Sequence, residues 1–175
     1  MRLSVRIATG LVAVLASGAM AFAQRGRFIE LATPESFDGG FNFCRIAFSS
    51  AGNGFGNGWS VDYPDADANV STRLSELTRT PISVDRFGRP NHLVIRPTDP
   101  ELFHCPFVMM TEVGSIFIYP EEAAALRDYL LKGGFLWADD FWGENAWYVW
   151  ESQIRKVLPS GDGQWGTGIE QPLTQ

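Results

Sequence analysis

Short apolar runs separated by glycine, proline and acidic residues predict the strands of this chain. Residues 41–48 (FNFCRIAF) have apolar side chains at both alternate and adjacent positions, which is typical of a strand buried on both faces. Residues 107–110 (FVMM) and 135–138 (FLWA) predict two more apolar strands, and the last of these is expected to lie centrally in a sheet. Residues 82–84 and 91–95 predict shorter strands around an RFGRP turn.

Helical periodicity lies between these runs. We expect a first helix that is capped by Asp67 or Asn69, extends to about Arg79, and has an apolar face formed by Val70, Leu74 and Leu77. A second helix begins at Pro120 and ends before Gly133, and a third covers about residues 145–157. The alternation of strands and helices predicts an α/β fold with three layers, in which a mostly parallel sheet carries helices on both faces.

The first 23 residues have the pattern of a secretory signal peptide. Arg2 and Arg6 precede a mostly apolar stretch, and Ala21-Phe22-Ala23 forms a small-x-small cleavage site. The stretch is shorter than the roughly 20 apolar residues that span a bilayer. We therefore expect an exported, periplasmic or secreted protein with an N-terminal arm at 24–40, one α/β domain at 41–160 and a loop or frayed tail at 161–175.

The charge balance disfavours nucleic acid as a partner. The chain has 14 basic and 20 acidic residues, a net charge of −6, and loss of Arg2 and Arg6 with the signal peptide makes the charge more negative. The arginines are scattered along the chain, whereas binding to a phosphate backbone requires clustered basic residues.

Two cysteines, Cys44 and Cys105, are the whole thiol content of the chain. In an oxidising compartment they could form one disulfide, and the alternative is two small buried hydrophobic residues. A zinc site at His104 and Cys105 is disfavoured, because two further ligands would be needed.

Two loop patterns resemble ligand sites but lack essential features. Four alternate glycines from Gly52 to Gly58 do not open directly into a helix, as a phosphate-binding loop requires, so we favour a surface loop. Residues 65–76 copy the carboxylate spacing of a calcium loop, but Val70 stands where that loop needs glycine. We favour a helix there.

Four stretches together resemble a known family: FNFCRI, GWSVDYPDADANVSTRLSELT, HCPFVMM and YPEEAAALRDYLLKGGFLWADDFWG. They resemble an uncharacterised bacterial family of exported or membrane-linked proteins, described only as a domain of unknown function, whose fold is similar to that of class I glutamine amidotransferases and flavodoxins. The resemblance covers about residues 41–160, and the GGFLWADDFWG run is its most specific part. It implies a parallel sheet with helices on both faces.

Two departures from that pattern bear on function. The family's final helix leads to at least one further strand, whereas QWGTGIEQPLTQ follows here, so we expect either a C-terminally shortened sheet or a divergent member of the family. Amidotransferases use a cysteine nucleophile on a strand-to-helix turn with a later histidine. Because His92 and His104 both precede the GGFLWADDFWG run and neither cysteine follows such a turn, glutamine hydrolysis is disfavoured.

The candidate chemistry lies at the carboxyl ends of the strands, where sheets of this class bind ligands. The candidate ligand-binding residues there are Asp62, Glu112, Asp139, Asp140 and Trp142. Carboxylates suit Mg²⁺ or Ca²⁺, or act as a general base, and an aromatic ring beside them suits a sugar. The competing interpretation is architectural, with Asp140 as a helix cap and Asp139 paired with Arg45.

No nucleophile or metal-ligand set is evident, so we predict no catalytic residues, no resident metal and no cofactor. The hypothesis that the sequence favours is a non-enzymatic module that binds a protein or a small molecule in the cell envelope. The alternative is a metal-assisted hydrolase that uses Asp139 and Asp140 with Mg²⁺ or Ca²⁺.

Overall fold

A computed structural model describes residue 29, residues 31–51 and residues 58–159 of the 175-residue chain. The predicted signal peptide, three of the four alternate glycines and the predicted tail lie outside the described residues. Within the described part of the chain, no helix is both long enough and apolar enough to cross a bilayer.

The described chain contains six strands and three α-helices. The strands are β1 (Phe43–Ile46), β2 (Ser49–Ser50), β3 (His92–Ile95), β4 (Phe107–Thr111), β5 (Ile116–Phe117) and β6 (Phe135–Asp139). The helices are α1 (Asp65–Leu77), α2 (Pro120–Leu131) and α3 (Gly143–Val157). Four 3₁₀ turns join them: Pro34–Ser36, Gly58–Ser60, Pro100–His104 and Val113–Ser115.

The main sheet has four parallel strands in the order β3-β1-β4-β6. In chain order these are the second, first, third and fourth strands, which is the order of a flavodoxin-like sheet. The short strands β2 and β5 pair antiparallel in a separate ribbon. The predicted three-layer α/β fold is therefore confirmed.

The two faces of the sheet carry different cores. Cys44 and Ile46 of β1 lie on one face, in an apolar cluster that includes Leu126 of α2 and Ile154 of α3. Because side chains alternate along a strand, Arg45 points to the opposite face, where it contacts Asp67 of α1. Helices thus cover both faces, with α2 and α3 on the apolar side and α1 on the side of Arg45.

The structure overturns the predicted apolar face of α1. The helix begins at Asp65, its fully buried residues are Asp67 and Ser71, and Leu77 is 82% exposed. Val70 is also exposed. The buried Arg45 on β1 needs a carboxylate opposite it, so α1 turns its polar side to the sheet. Hydrophobic periodicity alone therefore predicted the wrong face of α1.

The two glycines between α2 and β6 are required for different reasons, one for its backbone conformation and the other for lack of space. Gly133 has a φ of +94°, a left-handed conformation that ends the helix. A Cβ on Gly134 would lie 2.3 Å from the Tyr129 ring. The Tyr129 ring is buried, and its hydroxyl donates to the carbonyl oxygens of Cys105 (2.8 Å) and Phe135 (3.2 Å). Burial raises the pKa of Tyr129 to about 12.

The predicted strand at 135–138 exists, but its predicted central position is wrong. Strand β6 lies at the end of the sheet order and pairs only with β4 among the described strands. Phe135 is 61% exposed and Trp137 is 44% exposed. An apolar run does not distinguish a central strand from an edge strand, because both have the same local pattern.

Cys44 and Cys105 form a disulfide between β1 and the segment before β4. Both residues are buried, and the bridge joins positions 61 residues apart in the sequence. The structure thereby decides between the two roles that the sequence left open for these cysteines.

Candidate functional site

The strand order reverses between β1 and β4, and the segments that follow these two strands meet there. The N–H of Ala51 donates to the carbonyl of Ser115 at 2.8 Å, and the hydroxyls of Ser50 and Ser115 are 3.4 Å apart. Such a reversal places a crevice at the carboxyl ends of the strands, where ligands bind in sheets of this class.

Arg45 holds the wall of this crevice in place. Its Nη1 donates to the carbonyl oxygens of Trp59 (3.0 Å) and Val61 (3.2 Å) and to the Thr111 hydroxyl (2.8 Å). The hydroxyl of Thr111 also lies 3.2 Å from the carbonyl oxygen of Trp59. One guanidinium therefore fixes the loop that follows β2 against the end of β4.

The charge of Arg45 is neutralised by Asp67 on α1. Nε of Arg45 donates to both carboxylate oxygens of Asp67, at 3.0 and 3.1 Å, and Nη2 donates to Oδ1 as well. Both side chains are fully buried. Burial raises the pKa of the Asp67 carboxyl above its ordinary value, while the hydrogen bonds and charge of Arg45 act in the opposite direction.

This pair corrects two sequence-based expectations. The hypothesis that Arg45 pairs with Asp139 is wrong, because Asp67 takes the guanidinium. Asp67 is also not a helix cap, since α1 begins two residues earlier at Asp65 and no side chain caps it. The available signal was Arg45 itself, a charge inside an apolar strand, which has to find a buried partner.

Three of the predicted acidic residues come together at the ends of β4 and β6. The strand register places Thr111 beside Asp139, and the N–H of Glu112 donates to the carbonyl of Asp139 at 3.0 Å. The carboxylate of Asp139 accepts the N–H of Asp140 at 2.8 Å. We call Glu112, Asp139 and Asp140 the acidic rim.

Asp140 does not cap the last helix. The residue that precedes α3 is Trp142, and no side chain caps this helix. The predicted capping role of Asp140 is therefore wrong. Its carboxylate instead stands close enough to Glu112 to influence the ionisation of that residue.

Two of the three residues of the acidic rim have a strained backbone conformation. Within the described ranges, three residues other than glycine have a positive φ, and all are acidic: Asp62 (54°), Glu112 (55°) and Asp140 (58°). A left-handed conformation costs a residue other than glycine about 1 kcal/mol, and aspartate tolerates it better than glutamate does. Such strain persists where surrounding structure enforces it, and it is often found at functional sites.

Glu112 has a perturbed ionisation. Partial burial raises the pKa of its carboxyl above the ordinary 4.5, and the negative charge of Asp140 raises it further. Two carboxylates that repel one another favour a cation or hydrogen-bond donors between them. The acidic rim can thus act chemically as an acceptor of protons, cations or hydroxyl groups.

Of the other two predicted site residues, Trp142 is near the rim in the chain and Asp62 is not, and neither has a described contact with the rim carboxylates. Asp62 follows Val61, whose carbonyl Arg45 holds, so its loop is tied to the same end of the sheet. Trp142 lies two residues beyond Asp140 and is 81% exposed. Its ring is available to a ligand at the surface.

The described residues include neither a ready-made metal site nor a free thiol. Among the residues that the structure describes, no group of three or more His, Cys, Asp or Glu side chains is arranged to hold a metal ion. The Cys105 sulfur lies in the disulfide, so it cannot serve as a thiolate ligand with His104. With both cysteines bridged, the chain has no free thiol for an amidotransferase-type nucleophile.

Two cavities lie away from the rim. One of about 420 Å³ lies at the amino ends of β1 and β4, where its walls include Phe41, Asn42 and Pro106. The other, of about 290 Å³, is lined mainly by polar residues, among them Asp38 and Ser83. The residues of the acidic rim line neither of these cavities; Asp139 is exposed, and Glu112 and Asp140 are half-buried.

A family described as "Domain of unknown function (DUF4159)" matches residues 43–163 of the chain. The match begins at β1 and includes α1, the acidic rim and α3. Among curated proteins, none matches.

Proposed function

The chain belongs to the DUF4159 family, a domain of unknown function, and from this premise we propose that it is a non-enzymatic binding module whose recognition surface is the acidic rim. The observation that carries the proposal is the convergence of Glu112, Asp139 and Asp140 at the carboxyl ends of β4 and β6. This is the end of a parallel sheet at which ligands bind.

The chemistry of the rim indicates the kind of ligand. Its carboxylates accept hydrogen bonds and attract positive charge, and the exposed Trp142 ring next in the chain offers an apolar face. A partner with ammonium or hydroxyl groups beside an apolar surface fits both features. Amines, sugars and basic protein segments belong to this class.

A rigid support favours recognition at this surface. Arg45 fixes the loop at Trp59 and Val61 to Thr111, which is next to Glu112. A binding surface on such a scaffold loses little conformational entropy when a ligand is bound. The strain at Glu112 and Asp140 is consistent with carboxylates that are held in position for a ligand.

The test uses two probes of known chemistry, spermidine as a polyamine and cellotetraose as an oligosaccharide. We expect at least one of them at millimolar concentration to shift the backbone amide resonances of Glu112 and Asp139 to Trp142 in a two-dimensional NMR spectrum. Glu112→Gln with Asp140→Asn should abolish the shift. Asp128→Asn, at an exposed acid on α2, should retain it.

If neither probe shifts these resonances, the proposed ligand class is wrong. Shifts of equal size in the double variant would show that binding does not depend on the carboxylates of Glu112 and Asp140, which would also reject the proposal.

Metal-assisted hydrolysis at Asp139 and Asp140 is the second proposal. The observation that favours it is the electrostatic repulsion between Glu112 and Asp140, which a divalent cation would relieve. Added Mg²⁺ or Ca²⁺ should then raise the melting temperature of the wild-type protein. Asp139→Asn with Asp140→Asn should remove that increase, and an unchanged wild-type melting curve would reject this second proposal.

We further propose that the protein is exported, as residues 1–23 indicate. The Cys44–Cys105 disulfide supports export, because such bridges persist in oxidising compartments. Mass spectrometry of the protein from its native cells should find an N-terminus at Gln24. A chain that retains Met1 to Ala23 in the cytoplasm would contradict export.

A further inference from the structure

Strand β6 leaves one side of its backbone without a described partner. It pairs with β4 on one side, and among the described residues no segment pairs with the other side. The backbone directions follow from two hydrogen bonds: Phe135 N–H donates to Pro106, and the Asp139 carbonyl accepts from Glu112. Because alternate residues of a strand point to opposite sides, the N–H and C=O groups of Leu136 and Ala138 point away from the sheet.

The two edges of the described sheet differ in whether another segment of the chain pairs with them. At the opposite edge, Leu31 pairs with Val94 of β3, and the Ala32 N–H donates to the Val94 carbonyl at 3.0 Å. A segment of the chain thus covers part of that edge. Strand β6 has no such cover in the described part of the chain.

Most of β6 also lacks the usual protection of an exposed edge. Residues 135–138 (FLWA) contain no charged residue, proline or glycine, and the charge of the strand is that of Asp139 at its last position. Edge strands of monomeric proteins commonly carry such residues, because they prevent pairing with another strand. The absence of these residues favours pairing.

An exposed aromatic surface lies beside this edge. The Phe107 ring stacks with Phe135 at 6.0 Å between centroids and contacts Trp137 edge-on at 6.1 Å. Phe135 and Trp137 are both exposed, although they share the face of the sheet on which Arg45 meets α1. A second strand at β6 would shield these rings from water.

We propose that β6 pairs antiparallel with β6 of a second copy of this chain, about a two-fold axis through Trp137. In this register Leu136 of each copy lies opposite Ala138 of the other. The outward-pointing N–H and C=O groups of these four residues then all form hydrogen bonds between the two strands. The two Trp137 side chains then face one another on the same side of the sheet. The result is one continuous eight-stranded sheet, and the proposal does not rest on ligand binding at the acidic rim.

The charges at the two ends of β6 favour a second copy as the occupant. Lys132 lies before the strand, whereas Asp139 and Asp140 lie at its end. In an antiparallel pair the basic end of each copy approaches the acidic end of the other, and between these ends the strand carries no charge. An interface of this kind is self-complementary, as two-fold symmetry requires.

The first experiment measures the mass of the protein, after removal of residues 1–23, by analytical ultracentrifugation. We expect the wild type to move from the mass of one chain to that of two as its concentration rises. Trp137→Lys and Trp137→Glu should each remain a monomer, because two like charges would meet at the axis. An equimolar mixture of these variants should form dimers, since opposite charges then meet there.

The second experiment uses Trp137→Cys. Opposed residues in a non-hydrogen-bonded antiparallel pair have Cα atoms about 4.5 Å apart, which is within the range of a disulfide. Mild oxidation should therefore link two copies through position 137. Phe135→Cys is the matched control. It should not link two copies, because residue 135 of each copy lies opposite residue 139 of the other and the two introduced cysteines are far apart. Circular dichroism should show that every variant is folded.

Three results would overturn the proposal. The first is a wild type that stays a monomer at every concentration. Slow hydrogen exchange of the Leu136 and Ala138 amides in that monomer would show that the edge of β6 is covered by the chain itself. The second is a dimer that persists in both charged variants when each is alone. The third is equal cross-linking through positions 135 and 137, which would contradict the register.

Discussion

Arg45 and Asp67 form a fully buried ion pair that joins β1 to α1 across one face of the sheet. The pair places a guanidinium at the carboxyl end of β1, where it also holds the Trp59 and Val61 carbonyls and the Thr111 hydroxyl. A charge at this position thus organises the crevice next to the acidic rim.

Removal of one partner should be costly. We expect Asp67→Ala to lower the free energy of unfolding by about 3–5 kcal/mol, because the Arg45 charge would remain buried without its counter-ion. The measurement is urea denaturation at neutral pH. Asp65→Ala, an exposed acid in the first turn of α1, is the control and should cost less than about 1 kcal/mol.

Replacement of both partners should cost less than removal of one. Arg45→Met combined with Asp67→Leu leaves no buried charge, so its loss of stability should be smaller than that of Asp67→Ala alone. A double variant that is less stable than the single variant would show that the hydrogen bonds of Arg45 to the loop matter more than its charge does.

The raised pKa of Glu112 gives stability a defined dependence on pH. Because partial burial and Asp140 raise this pKa in the folded protein, the folded state binds the proton more tightly than the unfolded chain does. The resulting stabilisation is present below the ordinary pKa of 4.5 and is lost as pH rises through the raised value. An NMR titration of the Glu112 carboxyl carbon measures this pKa directly.

Asp140→Asn should move the Glu112 titration towards lower pH, since it removes the second cause of the shift. Burial remains, so the return should be incomplete. Asp128→Asn on α2 is the control and should leave the titration unchanged. A wild-type Glu112 that titrates at or below its ordinary pKa would contradict the described environment.

The left-handed conformation of Glu112 predicts a gain in stability on substitution by glycine. Glycine adopts this conformation without a steric penalty, so Glu112→Gly should raise the free energy of unfolding by up to about 1 kcal/mol. Ala124→Gly, at an exposed position inside α2, should instead lower it by about 1 kcal/mol. Thermal denaturation of both variants compares them, and a destabilised Glu112→Gly would indicate that contacts of the Glu112 side chain outweigh the strain.

The Cys44–Cys105 bridge should contribute strongly to stability. It closes a loop between residues 61 positions apart, for which loop-closure entropy gives about 4 kcal/mol. Reduction should therefore lower the melting temperature of the wild type. Cys44→Ala with Cys105→Ala should melt at that lower temperature and should not respond to reductant, whereas equal melting of the oxidised and reduced wild type would contradict the prediction.

Local pattern was sufficient for much of the fold. The positions of β1, β4, α2 and α3 follow from apolar runs, Pro120 at a helix start and Gly133 at a helix end, because these signals act over a few neighbouring residues. The approach of Glu112 to Asp139 follows from the parallel strand order, which places the carboxyl ends of neighbouring strands side by side.

The failures share one physical cause, which is that they depend on contacts between residues distant in sequence. The architectural interpretation paired Arg45 with Asp139, but the partner of Arg45 is Asp67, and this pairing in turn decides which side of α1 is buried. Likewise, the exposure of Phe135 and Trp137 depends on the place of β6 at the end of the sheet order. No local pattern contains this information.

The sequence by itself determined the α/β class, most of the strand and helix positions, and the set of acidic residues at strand ends, because each rests on local periodicity or on a parallel sheet's general geometry. Only the tertiary structure decided that Arg45 pairs with Asp67, that Cys44 bonds to Cys105, and that β6 lies at the end of the sheet formed by the described residues. These outcomes are set by packing across the sheet, where a buried charge must be neutralised and each strand can have a neighbour on either side.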